Sequence, residues 1–312
     1  NIPQQISALR KALGQIQNSA PFIETVSKTG YRFCREVKEH RKLEANSSIR
    51  RAVASEWAER INSKFPDAKV YGLVHELPKI VFLGELEVSK EINRASVAIA
   101  KELRSNSTVA LVDDEPNLIS EPVIFQAKTV KYSTLCELRH LGTYPFTLTA
   151  NVLLICKEKR MLILDVRSQK IHHFPGGYHV FGGYYQDESD SGDLRATAFR
   201  EVSEETKSMG LIKPNSEPML LLLEKTNKTF QVTFLGANIS ADVYERLEKS
   251  WESDEIRKIS FDKLKMNLEI ENVWVPSCKA AILAWLACGA PGTEENEKFG
   301  GLTPVELVSC FI

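Results

Sequence analysis

Three glutamates, Glu201, Glu204 and Glu205, follow Arg200 within the run Ala198-Phe199-Arg200-Glu201-Val202-Ser203-Glu204-Glu205-Thr206. If Leu194 to Ser208 is helical, they fall at i, i+3 and i+4 and share one face. Like charges at these spacings repel by roughly 0.2–0.5 kcal/mol per pair on a solvated helix, so the cluster favours neither folding nor stability. A divalent cation reverses that sign. Carboxylate oxygens suit Mg2+ or Mn2+, and such an ion shields phosphate charge and activates a water for attack at phosphorus. Upstream, Phe181-Gly182-Gly183 supplies a double glycine whose backbone can approach the same ion or phosphate closely. A solvated acidic helix would account for Arg-Glu-x-x-Glu-Glu alone, because charge runs on helices are common. The double glycine and the strands around it speak against that reading.

These residues resemble the Nudix box, Gly-x5-Glu-x7-Arg-Glu-U-x-Glu-Glu-x-Gly-U with U aliphatic, and Arg200-Glu201-Val202-Ser203-Glu204-Glu205 matches its second half. The resemblance covers residues 145–290, with Asn151 to Asp165 and Arg167-Ser168 as opening strands and Asp254-Glu255-Ile256 through Leu264 as a late strand and loop. It implies an α/β fold, a Nudix-like α/β/α sandwich with a mixed sheet. The activity it implies is hydrolysis of a nucleoside diphosphate linked to another moiety, with Mg2+ or Mn2+ as cofactor.

By position, the resemblance makes Glu201, Glu204 and Glu205 metal ligands, one of them able to act as base, with the carbonyl of Gly182 as a further ligand. Glu201, Glu204 and Arg200 form the expected catalytic set, Arg200 by pairing with a box carboxylate and holding the helix geometry. Arg167, Phe174 and Gly183 are expected against the substrate. A further glutamate from outside the box often assists in this family, and Glu224 and Glu255 are the candidates. Two positions depart from the pattern. The slot of the first box glutamate holds Gly192 in a longer loop, with Glu188 or Asp190 as substitutes. The glycine expected after Glu205 is Lys207, and the next glycine is Gly210.

His172, His173 and His179 flank the same stretch and could assist proton transfer, although isolated histidines there are more often packing residues. Phe174, Tyr178, Tyr184 and Tyr185 could stack a base but more often fill a sheet interface. Trp251, Trp274 and Trp285 sit in apolar helical patterns and are most simply core.

The elements that must position these groups are legible as periodicity. Strands are expected over Leu148 to Cys156, Met161 to Val166, Tyr178 to Tyr185, Leu220 to Glu224, Phe230 to Leu235 and Ile256 to Phe261. Helices are expected over Leu194 to Ser208, Ala241 to Trp251 and Trp274 to Ala287. Further upstream, Arg50 to Phe65 is an amphipathic helix ended by Pro66, and Lys79 to Gly84, Lys90 to Arg104 and Thr108 to Val112 read as strand, helix, strand. The expected organisation is a first segment over 1–42, a helical and α/β intermediate region over 43–140, a Nudix-like domain over 141–290 and a tail over 291–312.

The first segment holds eight Lys or Arg against three acids. Ile6, Leu9 and Leu13 recur at helical spacing, and Phe22 to Val26 followed by Gly30 to Phe33 reads as two strands around a turn. Glu24-Thr25-Val26 and Gly30-Tyr31-Arg32-Phe33 resemble the end of the winged-helix DNA-binding domain of OmpR-type regulators. That resemblance places Arg10 and Lys11 on the groove-reading helix and Lys28 and Arg32 on the wing, against phosphates. The helices that precede these elements in that fold are absent, so the segment is a partial winged helix and DNA binding is expected of a longer parent chain.

The 312 residues, 40 basic and 41 acidic, exclude a uniformly basic nucleic-acid coat and a polybasic membrane anchor. The apolar run Ala280 to Ala290 is too short to cross a bilayer, which needs about 20 helical residues. The start at Asn1 has no signal-peptide pattern, and six scattered cysteines lack zinc spacing, so a cytoplasmic protein with reduced thiols is expected. The partners expected are a nucleotide-derived small molecule, DNA through the N-terminal domain of the parent, and a second copy of the chain, with no membrane. Two functional classes stay open: a Mg2+- or Mn2+-dependent hydrolase, and a Nudix-like nucleotide sensor, with little or no catalysis, in a transcriptional regulator or nucleotide-signalling defence protein. The intact glutamates favour the first and the altered first half of the box favours the second.

Overall fold

The structure, a computed structural model, describes residues 23–26, 30–33, 56–102, 107–112, 122–170, 174–186, 190, 192–208 and 217–312. The chain divides into two compact units, Asn1–Ala52 and Val53–Ile312. In the first unit, β1 (Ile23–Val26) and β2 (Gly30–Phe33) pair antiparallel, with Ile23 opposite Phe33 and Val26 opposite Gly30. This is the expected hairpin. Arg32 lies in β2, whereas Arg10, Lys11 and Lys28 lie outside the described residues.

The second unit opens with α1 (56–64), whose Trp57 and Ile61 are buried. It continues through β3 (Ala68–Val74), β4 (Lys79–Glu85), α2 (Lys90–Glu102), β5 (Thr108–Val112), β6 (Ile124–Lys131) and α3 (Tyr132–His140). Then come β7 (Phe146–Cys156), β8 (Met161–Arg167), β9 (Tyr178–His179), β10 (Phe181–Tyr184) and α4 (Leu194–Thr206). The chain ends with β11 (Met219–Glu224), β12 (Thr229–Asn238), α5 (Ala241–Arg246), β13 (Ser253–Ser260), α6 (Leu264–Leu268), α7 (Pro276–Ala287) and α8 (Pro304–Val308).

Eleven strands form one mixed sheet in the order β3-β11-β12-β7-β5-β6-β4, with β10 and β8 also on β7 and with β13 and β9 on β8. β12 runs parallel to β7 and β4 parallel to β6, and the other pairs are antiparallel. β7 is central because Thr147 to Cys156 is buried on both faces, the pattern of a strand covered on two sides. On one face α7, apolar all round, packs with α1 against Leu153, Ile155, Leu162 and Leu164. On the other, Leu194, Ala198 and Val202 of α4 pack against Val152, Leu154 and Phe181. The result is the expected α/β/α sandwich.

Several expectations differ in detail. The strand expected from Tyr178 to Tyr185 breaks at Val180 because Tyr178–His179 pairs with β8 while Phe181–Tyr184 pairs with β7. Trp251 is 58% exposed rather than core, because α5 stops at Arg246, the chain leaves the helix at Leu247 and Trp251 falls in a turn. Trp274 and Trp285 are buried, but α7 starts at Pro276, whose missing N–H suits the first helical turn. The strands of 68–131 share one sheet with those of 146–260, so no break in the sheet falls between residues 140 and 141. Residues 291–312 close on the core: Phe299 lies 5.6 Å from the Trp285 ring and 4.8 Å from Phe261, and the Trp285 indole donates to the Pro291 carbonyl. α8 carries a capping box between Thr303 and Glu306. We expect Trp285→Ala to lose about 3–5 kcal/mol of stability, read from urea denaturation, since it removes a fully buried ring shared by these elements.

Candidate functional site

The glycine pair lets β10 lie flush between two side chains. A Cβ on Gly182, whose φ is +151°, would fall 2.2 Å from Asn151 Oδ1, and one on Gly183 would fall 2.3 Å from the carboxyl carbon of Glu201. A side chain at position 182 meets the backbone of β7, and one at position 183 displaces the Glu201 carboxylate. The Gly182 N–H donates to Glu205 Oε2 at 2.9 Å, so one turn of α4 sets both Glu201 and Glu205 against the strand. Glu204 lies outside this pair with its side chain 62% exposed. The expected common face therefore divides into two buried carboxylates and one in solvent.

Arg200 fixes this arrangement. Its Nε and Nη2 bind Asp190 side-on at 3.0 and 3.0 Å, its Nη2 also donates to the Tyr184 carbonyl at 3.0 Å, and its Nη1 donates to Glu201 Oε1 at 2.5 Å. Nη1 lies 3.6 Å from Glu204. Asp190 is 1% exposed and also accepts from the Gln186 N–H at 2.8 Å and from Thr197 Oγ1 at 2.9 Å. Of the two substitutes considered for the first box glutamate, Asp190 thus makes the carboxylate contact to Arg200, and Glu188 is outside the described residues. Arg200 touches protein groups and acts as a positioning residue. At the other departure, Lys207 caps α4 in the left-handed conformation, φ 52° and ψ 28°, so the backbone turn expected of a glycine is present without one.

The buried acids form one electrostatic group. Burial pushes Glu201 up to about 7 despite the adjoining Arg200 guanidinium, with Glu204 and Glu252 adding to the rise. Burial also holds Glu205 well above the usual carboxylate range, and the charges of Asp165 and Glu201 reinforce it. Asp165 of β8 rises to about 6 through burial, against the Ser253 hydroxyl beside it and the pull of Arg167. Asp165 Oδ1 and Ser253 Oγ are both buried, and neither makes a hydrogen bond of full geometry. His179, opposite Asp165 in the β8–β9 pair, is held down to about 3 by burial and by Arg167, so its ring is neutral at physiological pH. Asp165 and Glu252 were not singled out from the sequence. The available signal for Asp165 was an acid inside the apolar strand Met-Leu-Ile-Leu-Asp-Val-Arg, whereas Glu252 carried none.

Among the described residues no three His, Cys, Asp or Glu side chains are arranged to hold a metal ion. In donor type and charge the set fits a hard divalent cation: clustered carboxylates raise one another, and one buried oxygen has no hydrogen bond of full geometry.

The remaining candidates separate. Glu224 is buried on the α7 side, accepting from Ser277 Oγ at 2.9 Å, Asn227 Nδ2 at 2.8 Å and Gln231 Nε2 at 3.1 Å, and Gln231 in turn accepts from Asn151. Glu255 is paired with Arg257 at 3.3 Å on the surface. Arg167 ends β8, and its charge acts on Asp165, His179 and Glu224. Phe174, at φ 51°, is partly buried against the α7 core. Tyr178 meets Trp274 edge-on at 5.1 Å, and Tyr185 is fully buried. His172 and His173 are outside the described residues. The described cysteines are free, and among the described residues no helix is long and apolar enough to cross a membrane.

No protein-family model and no curated protein matches the chain. Among solved structures, it is similar to a bifunctional NMN adenylyltransferase/ADP ribose pyrophosphatase from Francisella tularensis complexed with AMP and a Mn ion. That match has 15% identity and a TM-score of 0.36 over 49% of this chain and 45% of that one, so the chain spans less than half of its length. It is also similar to a MutT protein from Methanosarcina mazei Go1, with 22% identity and a TM-score of 0.33 over 43% of this chain and 86% of that one. A Nudix hydrolase from Alicyclobacillus acidocaldarius matches with 12% identity and a TM-score of 0.34 over 46% of this chain and 90% of that one.

The raised carboxylates make stability depend on pH. A carboxyl group whose folded pKa lies above its unfolded value binds its proton more tightly in the folded state, so its contribution falls as pH rises between the two values. For Asp165 that window runs from 3.8 to about 6. We expect the urea midpoint of Asp165→Asn, measured against wild type, to gain with rising pH across this window and to stay above wild type beyond it. A parallel pH dependence of the two proteins would contradict the assignment.

Proposed function

We propose that the chain is a Mg2+- or Mn2+-dependent hydrolase of the Nudix type that cleaves the pyrophosphate linkage of a nucleoside diphosphate derivative. The observation that carries this reading is the docking of Gly182-Gly183 onto Glu201 and Glu205 while Arg200 is held by Asp190. It rebuilds, with a different acid and a longer loop, the relation between strand, helix and arginine that the box implies.

In this reading Glu201, Glu204, Glu205 and the Gly182 carbonyl hold the cation. When bound, the ion supplies charge neutralisation at the phosphates and a water acidified toward neutral pH. Glu201, raised to about 7, has the proton affinity of a base working near neutral pH. Glu204, the solvent-facing member of the triad, would offer its carboxylate to the cation from the open side. Arg200 keeps the helix in register with β10. Arg167 offers a guanidinium to a phosphate, Phe174 an apolar surface and Gly183 a side-chain-free backbone to the substrate.

The test is turnover of a panel of nucleotide sugars, dinucleotides and nucleoside triphosphates with Mg2+ or Mn2+. We expect release of a nucleoside monophosphate from at least one of them, and a loss of about 100-fold or more in E204Q. No turnover across the panel would remove the hydrolase reading, and a ligand-induced melting shift in the same samples would leave binding without catalysis.

A further inference from the structure

The path β3-β11-β12-β7-β5-β6-β4 ends on two edge strands, and β13 forms a third edge beyond β8. An edge strand offers a row of backbone N–H and C=O groups to any other chain, and proteins usually blunt it with charge or a cover. Two of these edges are blunted. The outer side of β3 is closed by α1, where the Asn62 amide donates to the Val70 carbonyl and accepts from the Val70 N–H, as a neighbouring strand would. β13 carries Asp254, Glu255, Arg257 and Lys258 within its span.

β4 has neither device. Between Lys79 and Glu85 it reads Ile80-Val81-Phe82-Leu83-Gly84, without a charge. Ile80 and Phe82 pack inward, whereas Val81 and Leu83 are 46% and 51% exposed, and Ile124, paired with Lys79 on β6, is exposed too. The Lys79 N–H donates to the Val123 carbonyl, so in this parallel pair the backbone groups of Lys79 and Val81 face β6 and those of Ile80 and Phe82 face outward. Among the described residues nothing bonds to that outer side. A bulge after Phe82, with Gly84 at φ +110°, ends the regular stretch at Leu83.

Charge selects what this edge accepts. The strand is basic at its start, Lys79, and acidic at and beyond its end, Glu85 and Glu87, and among the described residues none of the three is in an ion pair. A second β4 laid parallel would set like charge against like. Laid antiparallel, it sets each Lys79 beside the acidic end of the other strand, within diagonal reach of Glu85. The outward groups of Ile80 then bond with those of Phe82 of the partner subunit, and the two-fold axis falls at Val81, which meets its own copy. Such a contact is self-complementary and closes after two chains.

We propose that β4 is the contact surface of a homodimer, pairing antiparallel with β4 of a second copy so that the two sheets run into one. The contact uses none of the box glutamates and stands whether or not they hydrolyse a substrate.

The experiment is sedimentation velocity of the full chain at low ionic strength over a range of concentrations, for wild type, V81K, K79E, E85K and the double variant K79E/E85K. We expect the wild-type mass to rise from that of one 35.1 kDa chain toward that of two. V81K sets like charges face to face on the axis at an exposed position, and we expect association at least about 10-fold weaker. K79E and E85K each oppose like charges, and we expect each to weaken association about 5-fold, with K79E/E85K returning close to wild type because the reversed charges still meet. Hydrogen exchange at the Ile80 and Phe82 amides is expected to slow with concentration in wild type and not in V81K. A dimer indifferent to V81K, or a double variant no tighter than the single ones, would overturn the proposal. So would a chain that stays monomeric at every concentration, which would leave this edge to a strand of another protein.

Discussion

The side-on pair between Arg200 and Asp190 is the contact from which the rest of the site follows. One guanidinium joins the loop carrying Asp190, the carbonyl of Tyr184 in β10 and the carboxylate of Glu201 in α4, so a strand, a loop and a helix that follow one another in the chain share one node. Removing one partner of such a buried pair leaves an uncompensated charge and costs about 3–5 kcal/mol. Asp190, 1% exposed, is further satisfied by the Gln186 N–H and Thr197 Oγ1. Once this node is set, Gly182 and Gly183 have little freedom in where they meet the helix.

The node holds together a group that resists being assembled. Asp165, Glu201 and Glu205 come from β8 and α4, and burial raises the proton affinity of each, with Asp165 and Glu201 adding to the rise at Glu205. Nothing in the hydrophobic packing requires acids there, since Ile163 and Val202 of the same two elements fill the neighbouring core with apolar atoms. The fold therefore carries a local electrostatic cost beside the Arg200–Asp190 pair. Structural ion-pair networks perturb titration too, but a cluster of one sign in a packed interior is a feature of sites that meet an opposite charge.

Much of this was legible before any coordinates. Helix α4 is legible because Glu201, Glu204 and Glu205 fall at i, i+3 and i+4, and β7 and β8 are legible as strands from their alternation. The inequality of the three glutamates was not, because periodicity gives a face but not the depth at which a strand will meet it. Asp190 could be proposed but not chosen, since a loop of uncertain path carries no register. Hydrophobicity alone puts Trp251 in the core, whereas α5 ends at Arg246 and leaves that ring outside. Asp165 was overlooked for the converse reason: a single acid in an apolar strand looks like noise until its neighbours across the sheet are known.

The continuity of the sheet across residue 140 bears on what can be separated. β3 covers the outer edge of β11, and β5 pairs beside β10 on β7, so the stretch before residue 140 supplies neighbours to strands of the region that carries the glutamates. Cutting the chain there would strip hydrogen-bonding partners from the long apolar β11 and from the start of β7, creating open edges of the kind that pair with other chains. The portion recognisable by motif and the portion able to fold are therefore different lengths of the same polypeptide. The strands before residue 140 and those that flank the glutamates share one continuous sheet.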